Sequence, residues 1–439
     1  MTAARDAEGA VAKETGGLPR LSQLSQLWRA LGPGLITGAS DDDPSGIATY
    51  AQTGAQFAYA PTWSLVFSYP LMTAIQIISA RLGRTTGRGV AGNLCRHYPS
   101  FLAYGAVALL AIANTINIGA DIGAMADSVR VMIGGPQVLY VLLFGAGCVI
   151  AEIYVPYDRY VRILKWITLS LFAYVATLFF AKVDWPALLG SMVIPHFSLN
   201  ADYLTAIVAI FGTTISPYLF FWQASEEVDN LQASPRRRPL KTAPRQAERA
   251  RRRINFDTMA GMAFSNIIGL SIMATAAATL HDKHIGDLSS SAQVAETLRP
   301  VAGVLAEFIF ALGIVGAGLL AVPVLAGSAA YAVGETLHRP TGLNRKLNQA
   351  KTFYGVIALA TLIGVALNFT PINPITALYW SAIVNGVAAV PIMVLMMLMA
   401  RNPEVMGKET IRIGLLALGW IATGLMGVIA VAMIAMLVA

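Results

Sequence analysis

The sequence predicts an all-α, multi-pass membrane protein whose spans form two inverted five-helix repeats followed by one further helix. Three observations predict it. The 439 residues are 56% hydrophobic and only 13% charged, mean hydropathy is +0.61, and the apolar residues come in repeated runs of bilayer length. Of the 31 Lys and Arg residues, 27 fall in alternate loops, the bias that marks a cytoplasmic side. Finally, two spans five apart are each interrupted near the middle, and paired interruptions of this kind point to inverted repeats.

Residues 1–20 are polar and mixed in charge, without the apolar core of a cleaved signal peptide, and the stretch 1–31 reads as a cytoplasmic tail. Eleven spans follow at roughly 32–56, 60–80, 101–129, 136–154, 160–181, 201–230, 256–280, 300–335, 352–369, 374–400 and 411–438. Those near 101–129 and 300–335 are long enough to tilt or protrude. The repeats are then 32–181 and 201–400, with 411–438 as an additional helix. Only Arg130, Lys182, Lys283 and Arg299 fall on the outer side, which puts the N-terminus inside and the C-terminus outside. The expected location is integral to a membrane, taken as a bacterial cytoplasmic (inner) membrane. The same distribution accounts for the net charge of +7 without any nucleic-acid partner.

The most basic loop, Arg236–Arg253, suits contact with the anionic headgroups of membrane lipids, and equally a solvated loop that sets topology. The outer loop Asp184–Asp202 carries Trp185, Pro186, Pro195 and His196 and belongs at the interface. Cys95 and Cys148 fall in an inner loop and a span, so no disulfide framework is implied.

The first span reads GPGLITGASDDDPSGIATYAQTGAQF, with three carboxylates and a Pro-Ser-Gly break at mid-membrane. A charge at that depth costs about 2.5–3.5 kcal/mol on insertion scales, so it faces a cavity, a partner or a substrate. Pro44 lacks an N–H and Gly46 is permissive, so carbonyls near the break lose their helical partners. Free carbonyls beside a carboxylate are cation ligands. The sixth span breaks at Thr213-Thr214-Ile215-Ser216-Pro217. Beyond this break Ser216, Phe220, Gln223 and Glu227 share a helix face. Glu227 is placed at the inner vestibule, as a cation exit station or simply an interfacial carboxylate.

These residues resemble the natural-resistance-associated macrophage protein (NRAMP) family of divalent-metal transporters. The first span aligns without a gap onto that family's first helix, with its Asp-Pro-Gly-Asn motif and Gly-Ala-Gln-Phe-Gly-Tyr-like end. The resemblance implies a LeuT-like fold, an activity that is not enzymatic, and alternating-access transport of a metal ion as substrate, with no cofactor. Asp43 and Pro44 match the motif, whereas Ser45 replaces its Gly and Gly46 its metal-binding Asn. In span six the family's Ala-x-x-Met-Pro-His is replaced, so the Met thioether becomes the Ser216 hydroxyl and the His becomes Tyr218. A second family His falls at Gln223. In span three Asp121 matches a family Asp, the Glu three residues on is Ala124, and span nine lacks the family's Arg. The chain therefore resembles a divergent NRAMP-related branch.

The resulting metal set is Asp43, Gly46, Thr213 and Ser216, all oxygen. Such sites suit hard ions, Mg²⁺ above all, with Mn²⁺ also accepted, and loss of the thioether removes the ligand for softer metals. The substrate pathway is assigned to Asp42, Ser45, Tyr218, Gln223, Glu227, Asn117 and Asp121. Asn114, Asn117 and Asp121 share one face of span three, and the two Asn also suit interhelical hydrogen bonding. Asn385 in span ten is a weaker candidate. His281, Asp282 and His284 suggest either an outer capture patch or an ordinary solvated loop. No His falls within a predicted span, so proton coupling lacks its usual carrier. A carrier of the same fold for an amino acid or another small organic solute is the alternative, but three acids at the break repel a carboxylate. An intramembrane aspartyl protease is excluded by the order of its motif fragments, Tyr157-Asp158, Gly119-Ala120-Asp121 and Pro186-Ala187-Leu188.

Overall fold

Proline and glycine mark where the chain stops crossing and where it bends. The computed structural model describes residues 33–155, 168–234, 236–281, 288, 290–343 and 345–438. Among the described residues all regular secondary structure is helical. Among the described residues, eight helical stretches are long and apolar enough to cross a bilayer, and a shorter apolar helix spans Lys351–Leu367. The first span is two half-helices, Pro33–Asp41 and Pro44–Phe57, so neither half alone has bilayer length. The sixth is Ala201–Thr214 and Pro217–Gln232. Of the fifth, Thr168–Phe180 is helical, and residues 156–167 lie outside the described set. The tail 1–31, the pair Tyr157-Asp158, and Asp282 with His284 lie outside it too.

Several boundaries move from the hydropathy reading. Span seven begins its helix at Ala247, nine residues before its apolar part, because helix formation tolerates charge on a solvated turn. There Arg252 pairs with Glu248 at 2.5 Å in the i,i+4 arrangement. Span two runs on to Thr86, where Gly87 at φ +70° caps it, and the inner loop then holds a short helix, Val90–His97. The approach to span eight is a series of short turns, and its continuous helix is Ala306–Thr336. Gly303 at φ +52° makes that junction.

The two halves of the chain interleave. Span seven packs along both half-helices of span one, and span three packs against spans eight, nine and ten. The first half of span six lies on span ten, and the last helix, Ile413–Val438, covers spans two, six and ten. These crossings are close because small residues meet. The Gly38 backbone abuts Gly261, and Gly212 abuts Ala382 and Gly386, so a Cβ at either glycine would enter another backbone. Gly318 likewise meets Met125, so the glycine-rich part of span eight serves helix packing. Large apolar side chains left outward, such as Leu143, Leu362 and Val431, belong to the lipid-facing surface.

Candidate functional site

The breaks of spans one and six meet at the centre of the bundle. Asp43 caps the second half-helix of span one, which is the local reason the chain restarts there. Its Oδ1 accepts from the Gly46 backbone amide and the Ser45 hydroxyl, both at 2.7 Å. Pro44 fills the first helical position, where its missing N–H costs nothing. The other oxygen, Oδ2, accepts from Asn117 Nδ2 at 3.0 Å and lies 3.4 Å from the Tyr218 hydroxyl. That hydroxyl also donates to the Ser40 carbonyl at 3.0 Å. Spans three and six thus reach the same carboxylate.

Thr213 and Gly46 face each other across the two breaks. A Cβ on Gly46 would lie 2.9 Å from Thr213 Oγ1 and 3.3 Å from the Asp41 carbonyl. The space beside Gly46 is therefore filled by the Thr213 hydroxyl in this conformation. Ser216 turns its hydroxyl back onto the end of the first half-helix of span six, donating to the Gly212 carbonyl at 2.5 Å and meeting that of Thr213 at 3.0 Å.

Asp42 and Asp41 converge on Ser265 of span seven, which bonds Asp41 Oδ2 and lies 3.0 Å from Asp42 Oδ1. A hydroxyl has one proton and donates to only one of the two at a time. Asp121 is fully buried on span three, and neither of its carboxylate oxygens has a hydrogen-bond partner among the described residues. Exposure is 0% for Asp41 and Asp121 and 1% for Asp42 and Asp43, so the conformation is closed to both sides. Among the described residues, no Lys, Arg or His pairs with any of these four carboxylates. Nor does any group of three His, Cys, Asp or Glu side chains form a ready metal cage. A cation held here would be bound by one or two carboxylates completed by neutral oxygens.

Toward the basic-loop face the site is sealed by polar ties. Gln223 accepts from Thr37 on the first half-helix, and the Gly34 amide donates to Asp257 Oδ2 at 2.8 Å. Both Glu227 oxygens take Arg253 Nη2, at 2.7 and 2.5 Å. Glu227 is thus committed to an ion pair here rather than standing open as an exit station. On the opposite face Gln52 accepts from the Leu288 amide at 2.8 Å, and His281 Nδ1 lies 2.9 Å from the Ala55 carbonyl. His281 therefore packs against the end of span one.

Three contributors escape sequence reasoning. Ser381 of span ten donates to Asn117 Oδ1 at 2.8 Å and so orients the amide that reaches Asp43. Ser265 and Arg253 complete the acidic pair and the closure. A single Ser in an apolar helix gives no signal beyond ordinary packing. The remaining span-three amide, Asn114, is structural, with Nδ2 donating to the Leu325 carbonyl and Ser328 Oγ. Asn385 is buried with neither amide atom partnered.

Two broken helices crossing at a buried acidic site, inside an all-α membrane bundle, define a transporter of the LeuT-like class. The fold agrees with a solved manganese transporter of Eremococcus coleocola, at TM-score 0.75 and 15% identity over 97% of this chain and 89% of that one. It agrees less closely with MhsT, solved with L-phenylalanine, at TM-score 0.58 and 13% identity over 92% and 98% of the two chains. The chain belongs to the natural resistance-associated macrophage protein-like family, whose profile matches residues 34–436. It is similar to the divalent metal cation transporter MntH of Verminephrobacter eiseniae, 26% identical over 373 residues and 81% of each chain. The MntH of Yersinia enterocolitica is 28% identical over 348 residues, 77% of this chain and 81% of that one. The family makes this a multi-pass membrane transporter, not an enzyme.

Proposed function

We propose that this protein moves divalent metal cations across the membrane by alternating access, with Asp43 as the central ligand. One observation carries the reading: four buried carboxylates gather at the crossed breaks with no basic partner among the described residues. Unpaired charge is strongly disfavoured in such a place, and a cation is its natural complement. An amino-acid carboxylate would meet repulsion there instead.

The substrate is a hard ion, Mg²⁺ or Mn²⁺, because the side chains bonded to Asp43 among the described residues are hydroxyl or amide, without sulfur or imidazole. In the transport cycle the cation takes Asp43 Oδ2 from Asn117 and Tyr218, which turn their polar atoms to its water shell. Thr213 and Ser216 supply hydroxyl oxygens once the two breaks part. Release follows when Glu227 leaves Arg253 and the first half-helix leaves Asp257 and Gln223. Transport runs down the ion gradient and membrane potential without obligatory proton symport, since no imidazole stands near the site. Uptake into proteoliposomes across a metal panel, with a pH-sensitive dye inside, tests all of this. Saturable Mg²⁺ or Mn²⁺ uptake is expected, and uptake of an amino acid unaffected by divalent metals would overturn it.

A further inference from the structure

The loop between spans six and seven folds into a walled basin. Arg84 of span two donates to the Arg238 carbonyl at 2.7 Å and to Gln246 Oε1 at 2.9 Å. Gln246 Nε2 donates to the Arg236 carbonyl at 2.9 Å. The amides of Leu240 and Lys241 donate to the carbonyls of Arg84 and Thr85, each at 3.2 Å, and Lys241 Nζ reaches the Glu404 carbonyl at 2.7 Å. These bonds hold the loop against span two and the end of span ten. They frame an open depression of about 570 Å³ lined by Arg236, Arg238 and Arg245 together with Thr242 and Gln246.

Three features give the basin its chemistry. Its lining includes three arginines, whose guanidiniums are planar forks that can bind phosphate oxygens in pairs. No Asp or Glu lines it among the described residues. Two acids that follow in the chain or pack beside span seven are engaged by other arginines, Glu248 by Arg252 at 2.5 Å and Glu409 by Arg251 at 2.7 Å. Lastly, Gln246 in its wall is the N-cap of the 33-residue helix Ala247–Thr279 and makes no side-chain cap bond, so the positive end of a long helix dipole adjoins the depression.

We propose that this basin is a binding site for an oligophosphate anion. Its depth selects a water-soluble source over a lipid headgroup. The lipid-facing part of span seven starts at Phe256, which is 63% exposed, followed by Met259. Ala247, where the helix begins just after Arg245, precedes Phe256 by nine positions, about 13 Å along the helix at 1.5 Å per residue. The headgroup layer is only about 5–8 Å thick on each side. Arg252 and Arg253 therefore lie at headgroup level, and the basin lies beyond it in water. The charge bias assigns that water to the cytoplasm.

The test is thermal unfolding of the full chain in phosphatidylcholine nanodiscs, in metal-free buffer, titrated with tripolyphosphate and separately with inorganic phosphate. A saturable rise of several degrees with tripolyphosphate, and a much smaller one with phosphate, is expected. The variant Arg236→Gln/Arg238→Gln/Arg245→Gln should lose the rise. The equally charged control Arg237→Gln/Arg249→Gln/Arg252→Gln, outside the basin, should keep it. Should the triple variant not fold, Arg245→Gln alone should weaken binding at least tenfold by calorimetry at fixed temperature. Stabilisation only in phosphatidylglycerol discs, lost in the basin variant, would keep the phosphate site but make its source a lipid. No rise with either anion or lipid, or an equal rise in basin and control variants, overturns the proposal.

Discussion

Replacing Asp43 by Asn separates the two roles that this residue fills. As a helix N-cap, Asn is about as good as Asp, whereas Ala costs roughly 1 kcal/mol. Asn can still accept from Ser45 and Gly46 through its single oxygen, so the restart of span one survives. What disappears is the charge, and the amide that replaces Oδ2 presents donors to Asn117 and Tyr218, themselves donors. Removing one partner from a buried ion pair costs about 3–5 kcal/mol, which is roughly two to three and a half decades in binding. Asp43→Asn should therefore unfold within a few degrees of wild type while its KM for Mg²⁺ or Mn²⁺ uptake rises at least about 100-fold. Asp43→Ala should lose uptake and some stability together. The assay pairs thermal unfolding with initial rates in proteoliposomes across metal concentrations. Wild-type KM and turnover in a folded Asn variant would take the metal site away from span one.

Selectivity should follow the ligand atoms. Gly46→Asn with Ser216→Met should turn preference toward Mn²⁺ and Cd²⁺, most clearly when Thr213→Ala makes room for the new side chain. Competition uptake would show this, and unchanged selectivity at wild-type turnover would mean that these side chains do not set it. Glu227→Gln removes the charge from the Arg253 pair, so the ties that hold Pro33–Asp41 should loosen. Hydrogen exchange should then quicken in that half-helix while spans three and ten keep their protection, whereas unchanged protection there would remove Glu227 from the closure. At zero membrane potential, metal uptake should proceed without acidifying the liposome interior. Metal-dependent acidification abolished by Asp121→Asn, with metal binding retained, would make Asp121 a proton carrier and refute uncoupled transport.

The sequence by itself determined the membrane class, the helical architecture and the two interruptions, because these rest on local properties. Apolar run length, proline and glycine placement and the Lys/Arg bias are each legible without knowing what lies nearby. Asp43 was legible for the same reason, as a carboxylate at a break inside an apolar span. Only tertiary structure decided which atoms face it. Ser381 reaches Asn117 from 264 residues away, and Ser265 joins Asp41 from 224 residues away. Neither contact follows from periodicity, since one hydroxyl on an apolar helix looks the same whether it packs or positions a site. Folding likewise decided that Glu227 is paired and that Thr213 occupies the space beside Gly46. Such contacts depend on rotamers and on sub-ångström helix crossings, which hydropathy and spacing do not encode.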